Sequence, residues 1–251
     1  MRPATRLLVG ALGLLAGRAG LAADTLVAVA ASFLPPMEIV SAQFEIQTGH
    51  AVTLASGSTG ALYAQIVNGA PYDLFVAADQ ERPRRLAESG LGIAQTRTTV
   101  ARGRIVLFSR DAALIDTVGL KALEDASIRH IAIANPRLAP YGIAARETLQ
   151  ALGLWERLLP RLVRGESVAQ TFAMIATGNA ELGFVALAQV TANDRNGAYA
   201  LIPETLHAPL DQDMIVLERA KNNPATQELH AYLASAPARE IMRRFGYATT
   251  D

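Results

Sequence analysis

The stretch that decides the fold is LVAVAASFLPPM, which runs from Leu26 to Met37. Its apolar first half predicts a buried strand, and the small residues Ala30 and Ala31 let a ligand approach the backbone closely. Ser32 follows at a place where its hydroxyl can cap a helix, and the two prolines suit the first turn of that helix. Because the unpaired N–H groups at a helix start carry partial positive charge, this corner favours anions.

Comparable strand-to-helix corners recur further along the chain. Ser56–Gly60, Pro140–Gly142 and Gly165–Val168 each bring hydroxyls or a glycine to the start of a predicted helix. A single corner of this kind is weak evidence, since a serine before a helix most often serves only as a cap. Their recurrence in two halves of the chain indicates one anion site built from several helix starts.

The amino-terminal residues predict a secretory signal peptide over residues 1–23. Arg2 and Arg6 precede an apolar run over residues 7–16, and Leu21-Ala-Ala23 matches the small-residue pattern of a cleavage site. The apolar run is too short for a permanent membrane span. Since the chain has no cysteine, it offers neither a lipid-anchored cysteine nor a disulfide framework. We therefore expect a soluble periplasmic protein that begins at Asp24.

The charge balance argues against nucleic acid as a partner. Residues 1–23 hold three of the 23 basic residues and none of the 23 acidic ones, so the mature chain has 20 basic residues, 23 acidic residues and a net charge of −3. No run of lysine or arginine supplies the basic face that phosphate-backbone binding requires. The partner is therefore expected to be a small molecule or another protein.

Short apolar strands alternate with amphipathic helices, which predicts an α/β fold with mainly parallel sheets flanked by helices. Two segments, near residues 96–104 and 203–213, read as crossings between lobes. We expect a discontinuous first lobe, 24–102 with 212–251, and a second lobe over 103–211. Because ligands bind beyond the carboxyl ends of strands in such sheets, a cleft between the lobes would bring the four corners together. The predicted strands are Leu26–Ala31, Val52–Ala55, Leu74–Ala77, Arg104–Ser109, Ile131–Ala134, Leu162–Arg164, Leu182–Val185 and Met214–Leu217.

Catalytic and metal chemistry find little support in the sequence. The histidines lie far apart and without metal-ligand spacing, at His50, His130, His207 and His230. No Gly-x-Ser-x-Gly motif occurs, so a secreted serine hydrolase that uses Ser32 or Ser58 remains only a remote alternative. We expect no catalytic residue, no cofactor and no direct bond between the protein and a metal.

Six motifs together match those of a known family: Ala30–Phe33, Gly57–Gly60, Gly69–Asp79, Asn135-Pro136 with Ala139–Gly142, Leu182–Val185 and Arg243–Tyr247. On these motifs the chain, from about residue 26 to its carboxyl end, resembles the periplasmic molybdate-binding proteins of ABC importers. Gly69–Asp79 is the most specific of the motifs. The resemblance implies a two-lobed periplasmic binding protein of type II with a ligand cleft between the lobes. It also implies a monomer that takes molybdate or tungstate and delivers it to a membrane permease.

The resemblance also implies which residues hold the oxyanion. Ser32 would give its hydroxyl and its N–H, and Thr59 would stand where the family usually has a second hydroxyl residue, with Ser58 beside it. Tyr141 and Val168 would give backbone N–H groups from the other lobe. Molybdenum would be present only as the oxyanion.

One position departs from the family pattern. Some members carry a tyrosine hydroxyl directly after the strand that corresponds to Leu182–Val185, whereas this chain has Ala186 there. The oxyanion must then be held by fewer donors or by a compensating one. The residues alone also permit ordinary roles: helix caps for the hydroxyls, packing for Tyr141 and core for Val168. A binding protein of the same architecture for sulfate or phosphate is the closest alternative.

Overall fold

The computed structural model describes residues 22–116, 118–193 and 197–249. The predicted signal peptide, residues 1–23, lies almost entirely outside these ranges. Within them, no helix has both the length and the apolar character that a bilayer crossing requires.

The described chain alternates strands and helices from Asp24 onward. The strands are β1 (Asp24–Ala30), β2 (Ala51–Gly57), β3 (Leu74–Val76), β4 (Thr98–Gly103), β5 (Ile105–Ser109), β6 (Ile131–Ala134), β7 (Leu162–Gly165), β8 (Leu182–Ala186), β9 (Ala198–Leu201) and β10 (Leu210–Val216). The helices are α1 (Leu34–Thr48), α2 (Thr59–Val67), α3 (Glu81–Glu88), α4 (Ala113–Asp116), α5 (Pro140–Ala151), α6 (Trp155–Leu158), α7 (Val168–Ala176), α8 (Leu187–Ala192), α9 (Pro224–Leu233) and α10 (Ala236–Arg244).

The strands form two five-stranded sheets of matching design. The first has the order β2-β1-β3-β10-β4 and the second the order β7-β6-β8-β5-β9. In the first sheet β1 pairs in parallel with β2 and β3, and β10 pairs antiparallel with β3 and β4. In the second sheet β6 pairs in parallel with β7 and β8, and β5 pairs antiparallel with β8 and β9. One reversed strand in each otherwise parallel sheet, with helices on both faces, confirms the predicted two-lobed α/β class.

The central strands are buried and almost entirely apolar because both faces of each sheet are covered. Leu74–Val76 in the first sheet and Ile105–Ser109, Ile131–Ala134 and Leu182–Ala186 in the second are buried throughout. This burial fixes the strand ends, and therefore the corners that follow them, in a rigid frame.

The chain passes between the two sheets at two places. β4 in the first sheet ends at Gly103 and β5 in the second begins at Ile105, while β9 ends at Leu201 and β10 begins at Leu210. The lobe boundaries at 102/103 and 211/212 remain a prediction, and we propose that the hinge lies at these two crossings.

Two strands and three short helices differ from the sequence expectation. Residues 98–103, interpreted as a plain crossing, form edge strand β4, while the edge strand β9 and the helices α4, α6 and α8 carried no clear signal. Both strands have partly exposed positions, so they lack the continuous apolar run that marks the central strands.

Candidate functional site

The first corner leaves a buried serine without a partner. Ala31 N–H donates to Gly57 O at 2.9 Å and Phe33 N–H donates to Ala30 O at 2.7 Å, which closes a tight turn between β1 and α1. Phe33, rather than Ser32, occupies the cap position of α1, so the interpretation of Ser32 as a helix cap is wrong. The Ser32 side chain is 1% exposed, and its Oγ makes no hydrogen bond within the described chain. A buried hydroxyl without a partner is costly, so a ligand that accepts a hydrogen bond from Ser32 would stabilise this corner.

The second corner orients a threonine hydroxyl. Ser58 stands at the cap position of α2 with extended backbone, yet its side chain makes no capping bond, and Thr59 is the first helical residue. Ala78 N–H, just beyond β3, donates to Thr59 Oγ1 at 3.1 Å. Because Thr59 Oγ1 accepts this bond, its proton remains free to be donated elsewhere.

The third and fourth corners present backbone donors. Tyr141 is the second residue of α5, after Pro140, and Val168 is the first residue of α7. N–H groups in the first turn of a helix have no partner within the helix. Neither of these two donates to another backbone carbonyl of the described chain. Both N–H groups are therefore available to an anion.

All five residues predicted for the site line one cavity of about 10 Å³. The first sheet contributes the corners with Ser32 and with Ser58 and Thr59, and the second contributes those with Tyr141 and Val168. No lining residue is charged; the remaining ones are Ala30, Ala31, Gly57, Ala78, Ala139 and Pro140. A wider depression of about 300 Å³ lies elsewhere, beside Gly103 and Arg104, and lacks these helix starts. The cavity thus combines neutral donors from both lobes, although the contact of each residue with a ligand remains a prediction.

Beside the cavity the two lobes touch through their backbones. Gly60 N–H in α2 donates to Leu138 O, in the loop before α5, at 2.8 Å. A Cβ built on Gly60 would lie 2.8 Å from Leu138 O and 3.1 Å from Leu138 Cα. Only a glycine therefore allows this approach.

Metal ligands are not assembled in the described chain. No three His, Asp or Glu side chains of the described residues come together as a metal-binding cluster. His50 lies by Glu228 and His130 by Glu181, both outside the cavity. Ala186, at the end of β8, is buried and offers no hydroxyl.

Sequence reasoning missed a layer of hydroxyl groups behind Ser32. Tyr247 O–H donates to Ser32 O at 2.7 Å, and Gln212 Nε2 donates to Tyr141 Oη at 3.4 Å. Burial raises the pKa of both phenols above the usual tyrosine range, and nearby Ser32 offsets part of this shift in each pKa. The only sequence signal for Tyr247 is its position in the terminal motif Arg243–Tyr247.

Ionisation of the buried phenols should destabilise the fold at high pH. A tyrosine whose pKa is raised on folding contributes stability that is fully present below its unfolded pKa of about 10 and is lost as the pH rises above it. Each such phenol should lower the free energy of unfolding by about 1.4 kcal/mol per pH unit there. Tyr247→Phe should therefore reduce the slope of this free energy against pH by about that amount, as measured by urea unfolding at pH 9 to 11.5. Equal slopes for the wild type and the variant would contradict the burial argument.

Comparison with known proteins places this architecture in a family. A family model described as bacterial extracellular solute-binding protein matches residues 25–248. The chain belongs to this family.

Several relatives cover nearly the whole chain. The molybdate-binding protein ModA of Azotobacter vinelandii is 44% identical over 228 residues, which are 90% of this chain and 90% of that protein. The ModA of Rhodobacter capsulatus is 40% identical, over 91% of this chain and 89% of that protein. A solved structure, the periplasmic molybdate-binding protein of Azotobacter vinelandii, matches with a TM-score of 0.86 and 37% identity, over 90% of this chain and all of that one.

Proposed function

We propose that this solute-binding protein binds molybdate, and tungstate with it, in the periplasm and delivers it to the membrane permease of an ABC importer. The observation that carries the proposal is the buried, unpartnered hydroxyl of Ser32 in an uncharged cavity lined by helix starts of both lobes. The relatives with 44% and 40% identity, which are named molybdate-binding proteins, support the choice of ligand.

A bare dianion suits a cavity that offers donors and no charge. An oxyanion that leaves water loses a large solvation free energy, so each of its oxygens needs donors. Hydrogen bonds to a charged group contribute about 1.5–3 kcal/mol each, so about five to seven of them reach about 10–15 kcal/mol before the cost of association. The hydroxyls of Ser32, Ser58 and Thr59, with the N–H groups of Ser32, Tyr141 and Val168, supply a set of this size. Affinity in the nanomolar to micromolar range follows.

The same donors explain selectivity. Hydrogen phosphate carries an O–H that needs an acceptor, and no carboxylate lines the cavity. Sulfate carries no proton but is smaller than molybdate, so it would leave some hydrogen bonds stretched. We therefore expect molybdate and tungstate to bind most tightly, with sulfate and phosphate as the weaker anions.

Delivery to the permease rests on the relative position of the lobes. The ligand bridges donors of both lobes and therefore favours the arrangement in which they meet. The permease would then distinguish loaded from empty protein by the spacing of two surfaces. Hydrolysis has no basis in this geometry, because Ser32 Oγ has no partner in the described chain that could act as a general base.

The deciding experiment is a titration of the mature protein, from Asp24 onward, with molybdate, tungstate, sulfate, phosphate and chromate at fixed pH. Molybdate and tungstate should raise the melting temperature, because a ligand that binds only the folded state stabilises it by RT ln(1 + [L]/Kd). Calorimetry should show sulfate at least about tenfold weaker, a discrimination of about 1.4 kcal/mol. Sulfate binding within tenfold of molybdate would exclude the size argument, and no response to molybdate would exclude the function. A parallel assay of ester hydrolysis should show no turnover.

A further inference from the structure

The side chain of Tyr141 crosses from one lobe to the other. Its backbone belongs to α5, which packs on the second sheet, whereas its phenol lies fully buried beside Gly103 and Gln212. Gly103 ends β4 and Gln212 lies in β10, so both residues are in first-sheet strands next to the crossings between the sheets. Tyr141 therefore lines the cavity with one part and contacts residues beside the proposed hinge with its phenol.

The pocket that receives the phenol is shaped for it. A Cβ built on Gly103 would overlap Tyr141 Oη, so the absence of a side chain there is what admits the hydroxyl. Gln212 Nε2 donates to Tyr141 Oη at 3.4 Å, and Tyr247, which donates to Ser32 O at 2.7 Å, lies close to the same phenol. Because a buried phenol needs polar partners, these groups give it a defined position in the first lobe.

The two ends of Tyr141 serve different purposes. Tyr141 lines the cavity together with Val168, where its N–H is predicted to bind the anion, while its hydroxyl reaches Gln212 of the first sheet. Because α5 packs on the second sheet and Gln212 lies in the first, separation of the lobes would draw the phenol away from Gln212, so its contacts would form only when the lobes meet. They therefore favour the arrangement that also completes the donor set.

We propose that the Tyr141 phenol is a positioning group that docks between Gly103, Gln212 and Tyr247 and thereby holds the Tyr141 N–H against the bound oxyanion. This inference rests on the proposed function for the identity of the anion. The phenol has no contact with the anion in this proposal. Its expected effect is therefore on the lifetime of the closed arrangement of the lobes.

Removal of the hydroxyl tests this role directly. Tyr141→Phe keeps the backbone N–H and the ring, so the association rate for molybdate should stay within about twofold, while the dissociation rate rises about three- to tenfold, as expected for one lost hydrogen bond. The matched control is Tyr72→Phe, since the exposed Tyr72 hydroxyl donates to Gln65 Oε1 at 2.7 Å and lies away from the cavity. Stopped-flow measurements on both variants should show the change only at position 141. A wild-type dissociation rate in Tyr141→Phe would overturn the proposal.

A second variant makes the test independent of that single substitution. Gly103→Ala places a methyl group where the hydroxyl sits and should weaken molybdate binding more than Tyr141→Phe does. In the Gly103→Ala/Tyr141→Phe double variant the overlapping Oη is gone, and the nearest atoms beyond the chain neighbours of the methyl group are the movable Gln212 Nε2 at 2.8 Å and Tyr141 Cζ at 3.2 Å. The double variant should therefore bind at least about fivefold more tightly than Gly103→Ala alone, the sign expected when two neighbouring groups compete for one space. Additive losses would overturn the proposal.

The outcomes separate this proposal from the function on which it rests. If the wild type does not bind molybdate, the proposed function fails, and the positioning role fails with it. If the wild type binds but Tyr141→Phe matches it, only the positioning role fails. Should Gly103→Ala not fold, the dissociation rate of Tyr141→Phe still decides the question.

Discussion

Replacement of Gly60 by alanine should weaken molybdate binding by about 10- to 100-fold while the ligand-free protein stays folded. The added methyl group would lie 2.8 Å from Leu138 O, a backbone atom of the opposite lobe that cannot swing aside as a side chain can. Overpacking of this kind costs about 1–3 kcal/mol, and 1.4 kcal/mol is a factor of ten in affinity. Because the overlap arises only where the lobes meet, the cost falls on ligand binding rather than on folding.

Gly69→Ala is the matched comparison for this prediction, since Gly60 lies in the first turn of α2 and Gly69 lies just after its end. Gly69 has a φ of +87° and open space around its missing Cβ, so alanine there should lower the free energy of unfolding by about 1–2 kcal/mol without changing affinity. Gly60→Ala should show the opposite pattern, because alanine favours the helix in which residue 60 lies. Calorimetric titration and urea unfolding of both variants measure the two effects. Near wild-type affinity in Gly60→Ala would show that the lobes need not meet at Leu138.

The second large effect is expected from Ser32→Ala. Ser32 Oγ makes no hydrogen bond of good geometry in the described chain, although it lies near the buried phenols of Tyr141 and Tyr247. Its removal therefore deletes little internal interaction and relieves an unsatisfied buried group. The free energy of unfolding should stay the same or rise. Molybdate affinity should fall about 10- to 100-fold, because a charge-assisted hydrogen bond of about 1.5–3 kcal/mol is lost.

Thr59→Ala provides the comparison for Ser32→Ala. It should weaken binding by a similar factor, but it should also lower the free energy of unfolding by about 1–3 kcal/mol, because Ala78 N–H loses its acceptor. Thr59→Ser, which retains the hydroxyl, should restore most of both losses. Calorimetry and urea unfolding again separate affinity from stability. An unchanged affinity in both alanine variants would mean that these hydroxyls have no part in binding.

The central framework could be predicted from the sequence because its signals are local. β6 has the predicted bounds Ile131–Ala134, since a short apolar run covered on both faces leaves little ambiguity. Of the helix starts at the four corners, only Val168 has the predicted position, whereas α1, α2 and α5 begin two or three residues before the predicted Pro36, Ala61 and Ile143. The half-exposed edge strands β4 and β9 gave no such run and could not be recognised.

Other parts of the site depend on backbone angles and long-range contacts that no local pattern encodes. Phe33 takes the cap position because the chain forms one more turn after β1, and this releases Ser32 from capping. The bond from Tyr247 to Ser32 joins residues 215 positions apart, and the contact of Gly60 with Leu138 joins two lobes. The resemblance to a known family predicted the donors, whereas only the folded structure gives the groups packed around them.

The division of the donors between two bodies has a consequence for unloading. The predicted donors Ser32 and Thr59 follow strands of the first sheet and Tyr141 and Val168 follow strands of the second, so neither lobe alone would replace the water that a bound anion loses. A transporter that separates the two lobes by a few ångströms would release the bound anion without the help of a proton, a counter-ion or a competing charge. Mechanical separation of the lobes alone would release the anion, and the empty protein could then bind another one.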